Sequence, residues 1–200
     1  VLIYKNNPCV HMWSLGNEAG RGSNFPALAA WAHAVDPSRL VHYCELTRKY
    51  DVKVLKTYVP HDGEELFDSV SPMYPAFDTI ENWIKYAMPV ESRPFIPCEY
   101  THAMGNSNGS LARYFDFFRK YKRMQGGYIW DWIDQGLLET DAKGRKYWAY
   151  GGDYGEKVND ANFCVNGMIL PDRTPHPSCL EFKFLARPFD FAAKCISARK

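Results

Sequence analysis

Residues 95–100 read FIPCEY, a short run of core-type residues that ends in a glutamate and a tyrosine. Other segments have the same form, an apolar or aromatic run followed by polar residues: CVHMWSLGNE at 9–18, RLVHYCE at 39–45, LFDSVSPMY at 66–74 and GGYIWDWID at 126–134. Each run has the composition of a buried β-strand. Helical patterns lie between them, and strands that alternate with helices form a parallel sheet, so the sequence predicts an α/β protein.

Helices are predicted in three of the intervals. The first begins after Ser23 as N-cap and stops at 36–37, with an apolar face of Leu28, Trp31, Ala32 and Val35. The second is capped by Thr79, ends at Pro89 and presents Ile80, Trp83, Ile84 and Ala87. The third is capped by Ser107 or Asn108 and repeats apolar residues at helical spacing: Leu111, Tyr114, Phe115, Phe118 and Tyr121.

Polar residues at the carboxyl ends of successive strands predict a (β/α)8 TIM barrel, because functional residues of such barrels lie at that end. A doubly wound sheet is the alternative, but no glycine-rich phosphate loop follows a first strand. A complete barrel needs about 250 residues, so we expect the C-terminal half of one. The repeating pattern stops near residue 135, and the alternation of Phe182, Phe184, Phe189 and Phe191 predicts a β-strand after a domain boundary near 175–180.

Composition excludes several classes of protein. The 200 residues are 46% hydrophobic and 24% charged, as in a folded globular chain. Lys plus Arg number 24 against 23 for Asp plus Glu, and this net charge of +1 gives no general attraction to nucleic acid. Mean hydropathy is −0.40, and no apolar run reaches the length of about 18 residues that a membrane span needs. We therefore expect neither a nucleic-acid nor a membrane partner.

The cysteines and the start of the chain bear on its cellular context. Six cysteines are scattered without metal-binding spacing: Cys9, Cys44, Cys98, Cys164, Cys179 and Cys195. Several lie in apolar runs, which favours a reducing compartment over a disulfide framework, and we expect a cytoplasmic protein. The chain starts with Val1 rather than Met and shows no signal-peptide pattern, so we expect a piece of something larger, or a processed protein.

The strongest chemical candidates are two glutamates at strand ends. Glu18 follows an apolar run in WSLGNE, and Glu99 follows another in FIPCEY. Most glutamates are solvated surface charges, and that interpretation stays open at this point. Two carboxylates facing each other at the carboxyl end of a barrel, however, are the groups that glycoside hydrolysis requires.

Longer motifs around these glutamates carry a resemblance to a known family. WSLGNEAGRGSN at 13–24 and CEYTHAMGNSNG at 98–109 occur with SPMY, GGYIWDWIDQGL, YGGDYGE, FCVNGMI and DRTPHP, in family order, over roughly residues 8–190. The sequence resembles the catalytic domain of glycoside hydrolase family 2, and within it the large bacterial β-galactosidases. The resemblance implies a partial TIM-barrel domain at 1–177, and at 178–200 a linker and the start of a β-sandwich domain.

The resemblance also implies roles for individual residues. In a retaining enzyme of this family, Glu18 matches the acid/base and Glu99 the nucleophile. The matches to sugar-binding residues are Asn17, Tyr74, His102, Trp130 and Asn166. From the residues alone, Asn17 could equally cap a turn, Tyr74 and His102 could be structural hydrogen-bonding groups, and Trp130 could belong to the core.

Metal ions are implied in the same way. Glu18 matches a ligand of Mg²⁺, and the carbonyl of Phe163 together with Asn166 matches part of a Na⁺ site. The remaining ligands lie upstream of this chain in the family. Oxygen donors suit both hard cations.

The expected substrate is a β-galactoside such as lactose, and the full-length protein is expected to be a homo-oligomer, a tetramer. Alternatives are a β-glucuronidase or β-mannosidase of the same family, and a sugar-binding fragment without turnover. Residues 46–66 match the family poorly, which leaves acceptor preference open. We expect the isolated 200 residues to be inactive, because the first barrel strands and most magnesium ligands are missing.

Overall fold

A computed structural model describes residues 1–44 and 64–192. The part of segment 46–66 before residue 64, and Cys195, lie outside the described residues. In order along the chain, the elements are β1 (Met12–Ser14), α1 (Asn24–Val35), β2 (Leu40–His42), α2 (Phe77–Asn82), α3 (Leu111–Lys120), β3 (Leu137–Thr140), β4 (Lys146–Ala149) and α4 (Pro177–Leu185). Short 3-10 turns lie at Glu64–Leu66 and Ala161–Cys164, and a π-helical turn at Trp83–Ala87 extends α2.

A series of parallel pairings, called the parallel wall below, joins β1, β2 and the segments around Val70, Phe95, Met124 and Ile129. β1 pairs with β2 in parallel, with Trp13 opposite Val41. Beyond β2 the wall continues as single parallel bridges rather than long strands: Val70 with Phe95, Met73 with Glu99, Phe95 with Met124, Tyr100 with Ile129, and Ile133 with Ile169. The parallel order predicted from the strand-and-helix rhythm is confirmed, but the regular strands are shorter than the apolar runs.

The main core lies between this wall and the helices. Trp83 is fully buried and its ring packs on Phe95 at 4.7 Å between centroids. The other buried members of this cluster are Val70, Ile80, Ala87, Tyr100, Leu111, Tyr114, Met124 and Leu185. The apolar faces predicted for α2 and α3 are therefore the faces that pack on the wall.

Helix α1 lies where it is predicted, but its buried face differs. Ala29 and Ala32 are buried under it, whereas Leu28 is 46% and Trp31 47% exposed. A stacked pair of rings, Phe25 on Tyr43, closes this smaller core. Small residues face the wall because they allow the helix to approach it closely.

The predicted caps of α2 and α3 are wrong. Helix α2 begins at Phe77, so Thr79 lies in its first turn. Helix α3 begins after Ser110, because the two predicted cap side chains are used by the preceding loop. Asn108 Nδ2 donates to the carbonyl of Thr101 at 2.9 Å, and Ser107 Oγ donates to that of Met104 at 2.6 Å.

The β-strand predicted from the alternating phenylalanines is also wrong, since 177–185 form helix α4. Pro177 stands at the first turn of this helix, where its fixed φ favours helix initiation. Phe182 packs on Phe115 of α3, with ring centroids 5.7 Å apart. Phe189 and Phe191 follow the helix as exposed, irregular chain. The division of the chain between residues 177 and 178 stays a prediction.

An antiparallel hairpin of β3 and β4 was not predicted. Asp141 accepts hydrogen bonds from the backbone of Lys143 and Arg145, and Gly144 has a φ of 78° that closes the turn. Among the described residues, no helix has the length and apolar character needed to cross a membrane.

Asp36 joins the end of α1 to β1 and β2. Its carboxylate accepts from Ser38 Oγ at 2.6 Å, from Arg39 Nη1 at 2.7 Å and from Trp13 Nε1 at 3.0 Å. Hydrogen bonds from Ser38, Arg39 and Trp13 lower the pKa of Asp36 from 3.8 to about 2. The ionised carboxylate therefore stabilises the folded state.

Replacing this carboxylate tests that contribution. A group with a lowered folded pKa stabilises the fold above its unfolded pKa, and the contribution is lost as pH falls through the folded pKa. In the intact protein carrying this chain, we expect Asp36→Asn to lower the free energy of unfolding at neutral pH. The difference from wild type should shrink from about pH 4 downward. Asp116→Asn on the exposed side of α3 is the control, and the free energies are measured by urea unfolding. If the difference in unfolding free energy between Asp36→Asn and wild type did not change with pH, this assignment would be contradicted.

Candidate active site

A cavity of about 830 Å³ lies along the parallel segments, from residues 9–12 at the start of β1 to the carboxyl ends of the segments. Its lining contains three of the predicted site residues, which are Asn17, Glu99 and Trp130, but not Glu18, Tyr74, His102 or Asn166. His42, Cys44 and Asp131 also line it. The parallel topology therefore gathers side chains that are far apart in the sequence.

A backbone hydrogen bond joins Tyr74 to Glu99. The backbone N–H of Tyr74 donates to the carbonyl of Glu99 at 2.8 Å. The Tyr74 hydroxyl also interacts with the Glu99 side chain. Burial raises the pKa of Tyr74, and the Glu99 carboxylate raises it further. Tyr74 therefore stays protonated next to this carboxylate.

Glu18 lies on the exposed turn that follows β1. The charge of Glu18 also raises the pKa of Tyr74, so both predicted glutamates act on one hydroxyl. Asn17 precedes it, with its Oδ1 atom 4.0 Å from the thiol of Cys44. Exposure of Glu18 gives solvent water access to its carboxylate.

Three residues at these strand ends adopt a left-handed backbone conformation. They are Glu18, with φ 47°, Tyr74, with φ 45°, and Thr101, with φ 49°. For residues other than glycine this costs of order 1–3 kcal/mol each, and it persists only where surrounding structure holds it. Such strain is concentrated at functional sites. Sequence patterns gave no signal for it.

His102 packs between two aromatic rings. Its imidazole meets the Tyr74 ring edge-on at 6.2 Å and stacks on Phe163 at 5.7 Å. The Nε2 atom is buried and has no hydrogen-bond partner within the described part of the chain. A chain of contacts thus runs from Glu99 through Tyr74 and His102 to Phe163.

Asn166 follows Phe163 on the same loop. Its Nδ2 donates to the carbonyl of Phe163 at 2.8 Å, while its buried Oδ1 has no partner among the described residues. This amide oxygen of Asn166 is a ligand of the kind that a hard cation such as Na⁺ prefers, whereas the Phe163 carbonyl already accepts the amide N–H. The sodium site stays a prediction.

Glu18 supplies a single carboxylate toward the predicted magnesium ion. Within residues 1–44 and 64–192, no group of three or more His, Cys, Asp or Glu side chains could hold a metal. The described residues therefore do not form a magnesium site by themselves.

Sequence reasoning missed Asp131, which lies next to Trp130 in the cavity wall. Burial raises the pKa of Asp131, while hydrogen bonds from the Ile133 N–H at 2.9 Å and Gln135 Nε2 at 3.0 Å oppose that rise. It also missed His42, which lines the cavity with a buried Nδ1 that has no hydrogen-bond partner among residues 1–44 and 64–192. The available signal was position alone, since both residues directly follow apolar runs.

Parallel βα units with polar strand ends define a TIM-barrel protein. The sequence matches the family described as "Glycosyl hydrolases family 2, TIM barrel domain" over residues 1–191. The chain therefore belongs to glycosyl hydrolase family 2.

Curated relatives include proteins named beta-galactosidase. A "Beta-galactosidase" of Vibrio cholerae is 47% identical over 191 residues, which are 94% of this chain and 18% of that protein. A "Beta-galactosidase" of Pectobacterium atrosepticum is 49% identical over 180 residues, 88% of this chain and 16% of that protein. The chain thus spans less than a fifth of the length of these relatives.

Solved structures share the fold at low identity. A family 2 β-galacturonidase from Eisenbergiella tayi bound to galacturonate has a TM-score of 0.58 at 14% identity, covering 94% of this chain and 35% of that one. A Ruminococcus gnavus β-glucuronidase has a TM-score of 0.57 at 18% identity, covering 90% and 32%. These likenesses confirm the TIM-barrel prediction.

The interaction between the Tyr74 hydroxyl and Glu99 can be tested in the intact protein carrying this chain. Tyr74→Phe removes a donor next to a carboxylate, and we expect kcat for glycoside hydrolysis to fall about ten- to a hundredfold. Tyr86→Phe, which alters an exposed tyrosine on the turn after α2, is the matched control. Equal steady-state kinetics for the two variants would contradict a role for the Tyr74 hydroxyl.

Proposed function

We propose that this chain forms part of the catalytic domain of a retaining β-galactosidase. The enzyme would cleave terminal non-reducing β-D-galactosyl residues from β-galactosides such as lactose by double displacement. The observation that carries the proposal is the place of Glu99 at the end of its parallel segment, where it lines the cavity and its carbonyl accepts the backbone N–H of Tyr74. Both Glu99 and Glu18 raise the pKa of the Tyr74 hydroxyl beside it. The names of the curated relatives support the choice of sugar.

Glu99 acts as the nucleophile in the first displacement. A carboxylate oxygen attacks the anomeric carbon, the bond to the glycosidic oxygen breaks, and a glycosyl ester forms. The Tyr74 hydroxyl holds the carboxylate in place and stabilises its charge when the ester breaks again. Burial and the charge of Glu99 raise the pKa of Tyr74, so its hydroxyl is protonated while the carboxylate is ionised.

Glu18 acts as the acid and then as the base. It gives its proton to the leaving oxygen, and in the second step it takes one from the water that attacks the anomeric carbon. Retention by this route requires carboxyl groups about 5–5.5 Å apart. The exposed turn that carries Glu18 is suited to exchange of the leaving group for water.

The remaining site residues bind the sugar in this proposal. Asn17 hydrogen-bonds the 2-hydroxyl, a contact that strengthens in the transition state. Trp130 offers an aromatic face to the C–H groups of the ring. His102 Nε2 and Asn166 Oδ1, both buried without partners among the described residues, are the groups proposed to meet sugar hydroxyls or the cation.

Two cations complete the proposed site. Phe163 and Asn166 would hold Na⁺ through oxygen atoms, and Glu18 would contribute one ligand to Mg²⁺. Bound there, the ions would orient the sugar and balance the charge of the acidic groups. Glu18 remains the group that gives a proton in the first step and takes one in the second.

We also propose the finer architecture and context expected from the sequence. The chain is the C-terminal half of the barrel, followed by the start of a β-sandwich domain, in a cytoplasmic homotetramer. Size-exclusion chromatography with light scattering on the intact protein measures the assembly.

Choice of sugar is tested by comparing nitrophenyl β-galactoside with nitrophenyl β-glucuronide on the intact protein. We expect the galactoside to be hydrolysed with much the higher kcat/KM. A preference for the glucuronide would assign the alternative family activity. Turnover of neither would contradict the proposed choice of sugar and leave the β-mannosidase and the sugar-binding protein as the alternatives.

Glu18→Gln separates the acid role from general damage. Substrates with poor leaving groups need protonation, whereas activated aryl galactosides do not. We expect kcat/KM for lactose to fall by about a hundredfold or more, with a much smaller loss for the activated substrate. Equal losses for both substrates would argue against an acid role for Glu18.

A further inference from the structure

Asp134 directly follows Ile133, the last residue of the cavity lining. Its carboxylate is almost completely buried, with the residue 3% exposed. Its Oδ1 accepts the backbone N–H of Gly167 at 2.6 Å. Its Oδ2 lies 2.8 Å from Nε2 of His176, which donates to it. A buried carboxylate is tolerated only when it is fully partnered. Both partners here belong to segments that have no part in the two displacement steps.

Gly167 directly follows Asn166, so the bond to Asp134 holds the loop that carries the proposed sugar and cation ligands. Further backbone bonds join the same loop to the segment that contains Asp134. The Asp131 N–H donates to the carbonyl of Asn166 at 2.8 Å, and the Met168 N–H donates to the carbonyl of Asp131 at 3.0 Å. The loop is therefore attached before, at and after Gly167.

The approach of loop and segment leaves no room for a side chain. A Cβ atom on Gly167 would lie 2.1 Å from the backbone nitrogen of Asp134 and 2.2 Å from the carbonyl carbon of Ile133. Glycine at this position is thus what lets the backbone N–H reach the buried carboxylate. The contact is a close fit between two backbones.

His176 connects this contact to the rest of the fold. Its backbone N–H donates to the carbonyl of Met168 at 3.1 Å, so the residue bonds both Asp134 and the loop. It also directly precedes α4, which packs on α3 through Phe182 and Phe115. The backbone of His176 is therefore held between the loop and the start of α4, and its imidazole is bonded to Asp134.

We propose that Asp134 and His176 are positioning residues that hold the 163–168 loop, and with it Asn166 and the Phe163 ring against His102, in the geometry that binds a sugar hydroxyl. This inference rests on the proposed glycosidase function. It extends that function by assigning a role to two residues that do not touch the reacting atoms.

The test uses His176→Leu, His176→Gln and the control His33→Leu in the intact protein. His33 Nε2 also lies near an aspartate, at 3.3 Å from Asp68, but on α1 away from the cavity. Measurements are the Kd of galactose by calorimetry, kcat and KM for a nitrophenyl galactoside, and hydrogen–deuterium exchange of peptides covering 163–169.

Misplacement of substrate-binding groups costs up to about a hundredfold. We expect His176→Leu to weaken galactose binding at least about tenfold, with faster exchange in 163–169. His176→Gln keeps an N–H donor and should restore most of both. His33→Leu should leave the galactose Kd and the exchange of this loop unchanged.

Wild-type galactose binding and wild-type exchange of 163–169 in folded His176→Leu would overturn the proposal. If that variant does not fold, Asp134→Asn replaces it, since it keeps an acceptor for Gly167 and weakens only the contact with His176. Intermediate exchange and affinity in Asp134→Asn then support the proposal, and wild-type values overturn it.

If wild type itself binds no galactose, the proposed function fails. The comparison of loop exchange between His176→Leu and His33→Leu still decides the positioning role.

Discussion

A backbone hydrogen bond joins Tyr74 to Glu99, and the side chains of the two residues interact as well. The backbone bond is part of the parallel wall, so it fixes the ends of two neighbouring segments side by side. The side-chain interaction then places a proton donor next to the carboxylate. Left-handed conformations at Tyr74 and nearby Thr101 show that the wall imposes this geometry at a cost of about 1–3 kcal/mol per residue.

The rest of the site is arranged by contact with this pair. The ring of His102 touches Tyr74, the ring of Phe163 stacks on His102, and Asn166 bonds the carbonyl of Phe163. The Asp134–His176 pair holds Gly167, the residue after Asn166, and so supports the loop at which this series of contacts ends. Rigidity at both ends is useful because a sugar site must hold its groups in place before the transition state forms.

Sequence reasoning found the elements that have a strong periodic signal. Helix α3 packs by the face that its apolar spacing predicts, because a strongly two-sided helix has one way to lie on a sheet. Sequence reasoning failed where a strand-like and a helix-like spacing of apolar residues occur in the same segment. The phenylalanines at 182 and 184 alternate as in a strand, yet Pro177 and the spacing of Phe182 and Leu185 favour α4, and packing on α3 decides the outcome.

The site was predicted unevenly for a physical reason. Glu18 and Glu99 stand out because charged residues rarely follow buried strands. Asp134 and His176 did not, since their bond joins residues 42 apart and depends on how two loops meet. Tertiary structure determines hydrogen bonds of this kind. The sequence motifs that contain Asp134 and His176 do not show that these two residues are partners.

Covalent trapping of the intact protein tests the central claim most directly. A 2-deoxy-2-fluoro-galactosyl substrate with a good leaving group slows the second displacement, and digestion with mass spectrometry locates the sugar ester. The account predicts that the ester forms on Glu99. An ester on any other residue, or galactoside turnover with no trapped ester, would contradict it.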